Sequence, residues 1–443
     1  AALLLPGTTL VISPLIALMK DQLDGLPPPV ARQATTLNSS LESNELSARL
    51  ARASKGAYKL VYAAPERLRQ RPFLHALKKA GVSLLVVDEA HCISLWGHDF
   101  RPDYHFITHA WRELGQPTIL ALTATATPRV RDDIQAALGQ VRLVLTDLHR
   151  PNLCLEARRF RAEAQKRPAL VALCCQIEGS GIVYATTRKT CEDLADMLHS
   201  KGISAIHYHA GIRDRARTQE RFMHDQVRVV VATIAFGMGI DKADVRFVIH
   251  YNPPKTLENY YQEAGRAGRD GLPARCILFH SPSDKGNLDR WTRQETLAAE
   301  FLRHVYHAIQ RRAGDRGVGL VAVGDLERDL GADETPLRVA IHFLERAGLL
   351  QRGFDLPRTA SLTLLRPLTA QEACSPDGNI GDLVRFVEAA RLRPGQTVSR
   401  SLIAVGGEAG MNLQDVEAKV LSWADAGWLR YRGVGRDMLL TLP

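Results

Sequence analysis

Short apolar runs alternate with longer amphipathic stretches up to about Ser283. Residues 9–12, 59–62, 84–87 and 118–122 are rich in Val, Ile and Leu, and 181–184, 227–231 and 247–250 repeat that texture. Strands buried on both faces of a parallel sheet read this way, with helices in the amphipathic stretches between them. The pattern predicts an α/β protein with two parallel-sheet lobes, residues 1–147 and 148–283. The polar, Arg-rich stretch 147–167, which holds Pro151 and Asn152, is the natural joint.

Beyond that point long helical patterns come first, followed by two endings that resemble each other. Residues 339–350 lead into an Arg/Gly/Pro segment at 353–358 and an apolar run at 361–365; residues 418–429 lead into 433–436 and 438–442. Helix, Ala-Gly, strand, tight turn and second strand is the order of a winged-helix ending. The tail is therefore expected as a mainly helical region with a platform and winged-helix-like domain at 284–370 and a second such segment at 371–443. An unrelated pair of helix-to-hairpin segments fits the same pattern, because two copies make a weak repeat.

A chain of 443 residues exceeds what one core usually organises, which excludes a single small binding module. With 45% hydrophobic and 24% charged residues it is neither disordered nor fibrous. Lys plus Arg 57 against Asp plus Glu 48 leaves +9, which favours a polyanionic partner such as nucleic acid and equally suits an ordinary basic enzyme. Seven scattered cysteines without C-x-x-C spacing suggest neither a disulfide framework nor a zinc site, and make a reducing, cytoplasmic compartment the expectation. The apolar N-terminus is interrupted by Pro6, Gly7 and Pro14 and lacks preceding basic residues, so it reads as strand and loop rather than a leader or membrane span.

Candidate chemistry centres on Ser83-Leu-Leu-Val-Val-Asp88-Glu89-Ala90-His91, where an apolar strand delivers two carboxylates to its C-terminal edge. Phosphoryl transfer needs such a pair: Asp88 to hold Mg²⁺ through water, Glu89 to polarise the attacking water. Alone, an Asp-Glu pair after a strand is more often a solvated strand end. A second cluster, Gln262-Glu-Ala-Gly-Arg266-Ala-Gly-Arg269-Asp270, places Gln262, Arg266 and Arg269 at i, i+4 and i+7, on one face if the segment is helical. Glycines beside both arginines permit close approach to a phosphate, although a surface Arg face has the same spacing. Hydroxyls and amides recur at strand ends: Ser13 through Lys20 and Gln22, Leu122-Thr123-Ala-Thr125, Thr187-Arg188, Tyr208-His209-Ala-Gly211, and Thr233 through Gly239 and Asp241.

In type, order and spacing these segments resemble the motifs of superfamily 2 helicases, and among those the RecQ family of DNA helicases. The sharpest are the stretch from Asp88-Glu-Ala-His91 through Trp96, His98, Phe100, Arg101 and Tyr104, which looks like the DEAH box with its aromatic-rich loop, and Ala235-Phe-Gly-Met-Gly-Ile-Asp-Lys242. The resemblance covers roughly residues 1 to 283 and implies two RecA-like lobes. It implies Asp88 as the Mg²⁺ ligand through water and Glu89, Arg266 and Arg269 as catalytic, Arg269 being the preferred arginine finger. Gln262, Gly239 and Asp241 would bind nucleotide, and His91, Thr123 and Thr125 would couple nucleotide state to DNA. Ser13, Lys20, Trp96, Phe100, Arg101, Tyr104, Thr187, Arg188 and Thr233 would bind DNA, the aromatics by stacking on bases. Trp96 and Phe100 as core residues is the other reading.

Two departures stand out. No G-x-x-x-x-G-K-[ST] phosphate loop occurs in the sequence. Since the family carries it upstream of Ser13, the chain is expected to be a fragment that binds and hydrolyses ATP poorly. Many relatives also hold Zn²⁺ through four cysteines after the second lobe; here only Cys374 lies beyond Cys276, so ATP and Mg²⁺ are expected as cofactors without structural zinc. The turns at 353–358 or 433–436 could act as a duplex wedge, or the tail could be purely structural. The implied function is ATP-dependent 3′ to 5′ translocation and unwinding of DNA in repair and recombination. Single-stranded and forked DNA are the expected partners, with no membrane, a monomeric state and a cytoplasmic, nucleoid-associated location. An RNA helicase of the same superfamily and a non-hydrolysing DNA-binding protein are the alternatives.

Overall fold

The computed structural model describes residues 1–95, 100–139, 141–146, 149–237, 240–295, 297–369 and 378–443, with 291–295 and 316 described by their backbone. The chain forms two compact units: residues 1–123, 128–141 and 297–443 in the first, and 124–127 and 142–296 in the second.

The first unit contains a parallel five-stranded sheet in the order β2-β3-β1-β4-β5. Its strands are β1 (Thr8–Ile12), β2 (Ala34–Leu37), β3 (Leu60–Ala63), β4 (Val82–Val87) and β5 (Thr118–Ala121). β1 is buried at every position, as its continuous apolar run requires. Register decides what the sheet presents: Ile12 and Ala121 both stand level with Val87. Ser13, Asp88 and Leu122 therefore leave the sheet side by side at its C-terminal edge, tied by Asp88 N–H to Ile12 O at 2.9 Å and Leu122 N–H to Val87 O at 2.8 Å.

The second unit holds a parallel six-stranded sheet ordered β6-β11-β10-β7-β9-β8. These are β6 (Leu153–Arg159), β7 (Ser180–Tyr184), β8 (Ala205–Tyr208), β9 (Val229–Ala232), β10 (Val245–His250) and β11 (Ala274–His280). The sequence reads 147–167 as a joint, yet β6 occupies its middle and pairs with β11 along its whole length. As an edge strand it leaves half its side chains in water, and Glu156 binds Arg158 and Arg275 there, so no apolar run announces it.

The tail belongs to the first unit and forms an antiparallel sheet, β12-β15-β13-β14, flanked by helices. β12 is Val318–Val321, β13 Gln351–Leu364, β14 Thr397–Arg400 and β15 Leu429–Thr441. The tight turns expected at 353–358 and 433–436 do not form. Each segment lies inside one long strand, and β13 and β15 pair with each other rather than folding back as hairpins. The Arg, Gly and Pro residues that suggest turns instead mark irregularities, with a register shift between Arg352 and Asp355 and Gly435 at a φ of 61°. Two apolar clusters flank the sheet, one around Leu362, Phe386 and Trp423, the other around Ile309, Ile341 and Leu440.

Candidate functional site: carboxylates of the first unit, arginines of the second

In the first unit Asp88 leaves β4 half-buried, and Glu89 follows in the left-handed region at a φ of 48°. That turn separates the two carboxylates. Asp88 accepts from Ser13 Oγ at 3.2 Å and from the Glu89 N–H at 3.0 Å, while Glu89 Oε2 lies 3.2 Å from His91 Nδ1. His91, 1% exposed, also brings Nδ1 within 3.0 Å of Thr123 Oγ1. One imidazole thus touches both Glu89 and the β5 exit.

Burial, then the neighbouring Glu89 charge, raises the Asp88 carboxyl above its ordinary range, against hydrogen bonds from Glu89 N–H, Ser13 and Gln22. Among the described residues no cationic side chain pairs with it. A hydroxyl, an amide and two carboxylates with no protein cation between them suit a hard divalent ion held through water, so the donor set fits Mg²⁺. Gln22 is the addition here; it stands in the quoted Ser13 to Gln22 segment without an assigned role.

Several residues expected to face DNA are placed differently. Ser13 is fully buried and donates to Asp88; Tyr104 is 1% exposed, and its hydroxyl donates to the Asp88 carbonyl at 2.9 Å. Arg101 donates to the Pro14 carbonyl at 2.8 Å, and Phe100 packs within the first unit edge-on to His105 and tilted against His342. Both the serine and the tyrosine are therefore supports of the carboxylate strand rather than surface contacts. Lys20 is exposed. Trp96, Gly239 and Cys374 lie outside the described residues.

In the second unit the helix carrying Gln262 runs Leu257–Ala264 and stops at Gly265, so Gln262, Arg266 and Arg269 do not share a helical face. The arginines sit in the turns that follow. Arg150 and Asn152 donate to the carbonyl of Gly268, and Arg150 also reaches that of Gly265 at 2.8 Å. Gly268 has a φ of 56°, and a Cβ there would meet Leu272 O at 2.7 Å, so only glycine closes this turn. Arg266 is buried, 7% exposed, with its Nε unpartnered, whereas Arg269 is partly exposed and pairs with Asp241 at 2.5 Å. The two arginines thus differ in kind: one is buried, the other partly exposed and paired with an exposed carboxylate.

Thr187 caps the Arg188–Ser200 helix by accepting from Thr190 N–H at 3.1 Å, with Arg188 exposed beside it, and Thr233 follows β9 with its N–H on Tyr208 O. Thr125 is buried. Glu192, His207 and His209 bring ligand-type atoms within 4.8 Å of one another. His209 Nδ1 accepts from Gly211 N–H, which leaves the ring proton on Nε2 to donate to Glu192 at 2.9 Å.

Residues 3–134 match the DEAD/DEAH box helicase model and residues 165–271 the helicase conserved C-terminal domain model. Together with two parallel sheets bearing carboxylates and arginines at these positions, the matches define a helicase of the two-lobed, RecA-like class. The chain is 39% identical over 346 residues to a probable ATP-dependent DNA helicase RecS of Bacillus subtilis, covering 76% of this chain and 68% of that protein. It is 47% identical over 288 residues to the ATP-dependent DNA helicase RecQ of the same organism, covering 64% of this chain and 48% of the relative. The chain belongs to the RecQ family of ATP-dependent DNA helicases. It spans about half the length of several curated relatives it matches. A solved structure of Mss116p bound to ssRNA and AMP-PNP aligns with a TM-score of 0.50 at 18% identity, covering 77% of this chain and 79% of that one; at that identity it shows the fold alone.

Proposed function

We propose that this protein is an ATP-dependent DNA helicase that moves 3′ to 5′ on single-stranded DNA and opens forked duplexes in repair and recombination. The observation that carries the reading is the register of β1, β4 and β5, which sets Ser13, Asp88, Glu89, His91 and Thr123 together at one sheet edge. Asp88 would hold Mg²⁺ there through water, and the ion would supply charge neutralisation to the phosphates. Glu89 orients the attacking water, and His91 reports its state to the Thr123 segment. Arg269 exchanges Asp241 for the γ-phosphate, and Arg266 anchors the turn. Lys20, Thr187, Arg188 and Thr233 grip the DNA backbone, with Trp96 as the stacking aromatic. The +9 balance suits that substrate, and a monomer in the cytoplasm, associated with the nucleoid, suits the activity.

A second reading rests on the net charge of +9, which favours a polyanionic partner whether or not nucleotide is turned over. Under it, the protein binds DNA without turning over ATP. ATP hydrolysis measured with and without single-stranded DNA, and with single-stranded RNA, separates the readings, with Glu89→Gln as the paired control. DNA-stimulated turnover that Glu89→Gln abolishes supports the helicase. Salt-dependent DNA binding with no turnover in either protein supports the second reading, and stronger stimulation by RNA overturns the choice of substrate.

A further inference from the structure

The tail helix Glu334–Arg346 reaches residues 100–106, the end of the aromatic-rich loop and the turn that continues it, and both belong to the first unit. Asp103, 3% exposed, lies between three guanidiniums: Arg352 NH1 at 2.8 Å, Arg69 Nε at 3.2 Å and Arg338 NH1 at 3.3 Å. Arg338 comes from the tail helix and Arg352 from β13. One turn along the same helix, His342 stacks on His105 with ring centroids 4.7 Å apart and planes 16° from parallel, and meets Phe100 at 5.1 Å. Arg69 extends the joint, lying 4.4 Å over the Phe106 ring and donating to the carbonyls of Arg352 and Gly353.

The held segment is short and leads directly to the carboxylates. Asp103 and Tyr104 are adjacent in a 3-10 turn, Pro102–Phe106, and Tyr104 donates to the Asp88 carbonyl. Arg101 ties the start of that turn to Pro14, next to Ser13. A chain of packed and hydrogen-bonded groups therefore runs from His342 and Arg338 through Phe100 and Asp103 to Asp88.

We propose that Arg338 and His342 are positioning residues: from the tail they set the arrangement of residues 100–106, and through it the DNA grip of the adjoining loop. The inference rests on the helicase reading and adds that the tail acts on the DNA-sensing segment, beyond any contact of its own with DNA. Charge and shape divide the work, Arg338 fixing Asp103 and His342 laying a flat ring on His105 and against Phe100.

The test uses the full chain with His342→Ala, His342→Phe, Arg338→Met and, as a surface control, Arg328→Ala. Three quantities are read: melting temperature, hydrogen exchange at the amides of 100–106, and affinity for a fluorescent single-stranded oligonucleotide well below the melting transition. His342→Ala and Arg338→Met are expected to speed exchange in 100–106 and weaken DNA binding roughly tenfold, while His342→Phe, which keeps a stacking ring, restores most of both. A fall in melting temperature with unchanged DNA affinity means a merely structural joint and overturns the proposal while leaving the helicase reading intact. If the unaltered protein does not bind single-stranded DNA, the helicase reading fails first and the inference falls with it.

Discussion

Asp88 and Asp103 belong to one stretch of the first unit and are both drawn out of water, yet their surroundings drive them in opposite directions. Burial raises the Asp88 carboxyl and the Glu89 charge raises it further. Burial also opposes ionisation of Asp103, but Arg352, Arg338 and Arg69 override it and hold the carboxyl at about 2. Saturation is the difference. Asp103 has its cations in the chain and so holds structure together, whereas Asp88 has neutral donors and a like charge, a setting that suits a cation ligand.

Removing Asp103 should have the largest effect on stability. Asp103→Ala removes the carboxylate that three guanidiniums share: Arg338 keeps Glu334 and Arg352 keeps Asp355, but Arg69, already lowered to about 10 by burial and by Arg352, loses its ion-pair partner. Urea unfolding of the first unit should show a loss of about 3–5 kcal/mol, the usual cost of orphaning a buried ion pair. A loss under about 1 kcal/mol would mean that water reaches the arginines and that the contrast with Asp88 is false.

Acid should separate the tail contact from the carboxylate it surrounds. Burial, then His105, Arg346 and Arg69, lower His342 to about 4, with Asp103 the opposing charge. The unfolded chain takes up a proton there near pH 6.5 while the folded chain does not, so stability falls as pH drops from about 6.5 through 4. Discounted for partial solvation, the loss is on the order of 2 kcal/mol. Asp103 contributes in a lower window, its share being lost as pH falls from about 3.9 through 2. His342→Phe should shrink the upper window to the part left by His105, which burial also lowers, and leave the lower one; unchanged acid sensitivity would place the titrating group elsewhere.

Much of this contrast was open to sequence reasoning on one side only. Asp88 and Glu89 stand out because an apolar strand delivers them, and strand runs such as 84–87 and 247–250 carry period and length within themselves. The partners of Asp103 are 34, 235 and 249 residues away along the chain, so nothing local distinguishes it from the loop residues around it. Phe100 and Tyr104 read as stacking aromatics for the same reason: a ring that packs against His342 and a phenol that supports Asp88 look identical, in sequence, to rings left for bases. The tail failed differently. Gly353, Pro357 and Gly435 are turn formers by propensity, but pairing of β13 with β15 absorbs them as irregularities in long strands.

Replacing Asp88 itself should cost almost nothing in stability. Asp88→Asn removes the repulsion with Glu89 and keeps one acceptor oxygen for the Glu89 N–H, while its NH2 can donate to Ser13 Oγ, so stability at neutral pH should hold or rise by up to about 1 kcal/mol. Added Mg²⁺ should raise the melting temperature of the unaltered protein and leave that of Asp88→Asn unmoved. A clear destabilisation without Mg²⁺ would show the carboxylate to be structural, like Asp103.

The same distinction, applied to cations of the second unit, yields the smallest expected change in stability. Arg266 is buried in the turn that Arg150 and Gly268 close, whereas Arg269 and Asp241 have side chains 36% and 83% exposed and pair in water. An exposed pair of this kind holds little, because solvent screens it and ordering two side chains costs entropy, so Arg269→Ala should shift unfolding by less than about 0.5 kcal/mol. If Arg269 is the group that reaches a γ-phosphate, the same substitution should lower any DNA-stimulated turnover by roughly a thousandfold or more. Stability lost without turnover lost would assign Arg269 to the fold and leave Arg266, with its unpartnered Nε, as the arginine that meets phosphate.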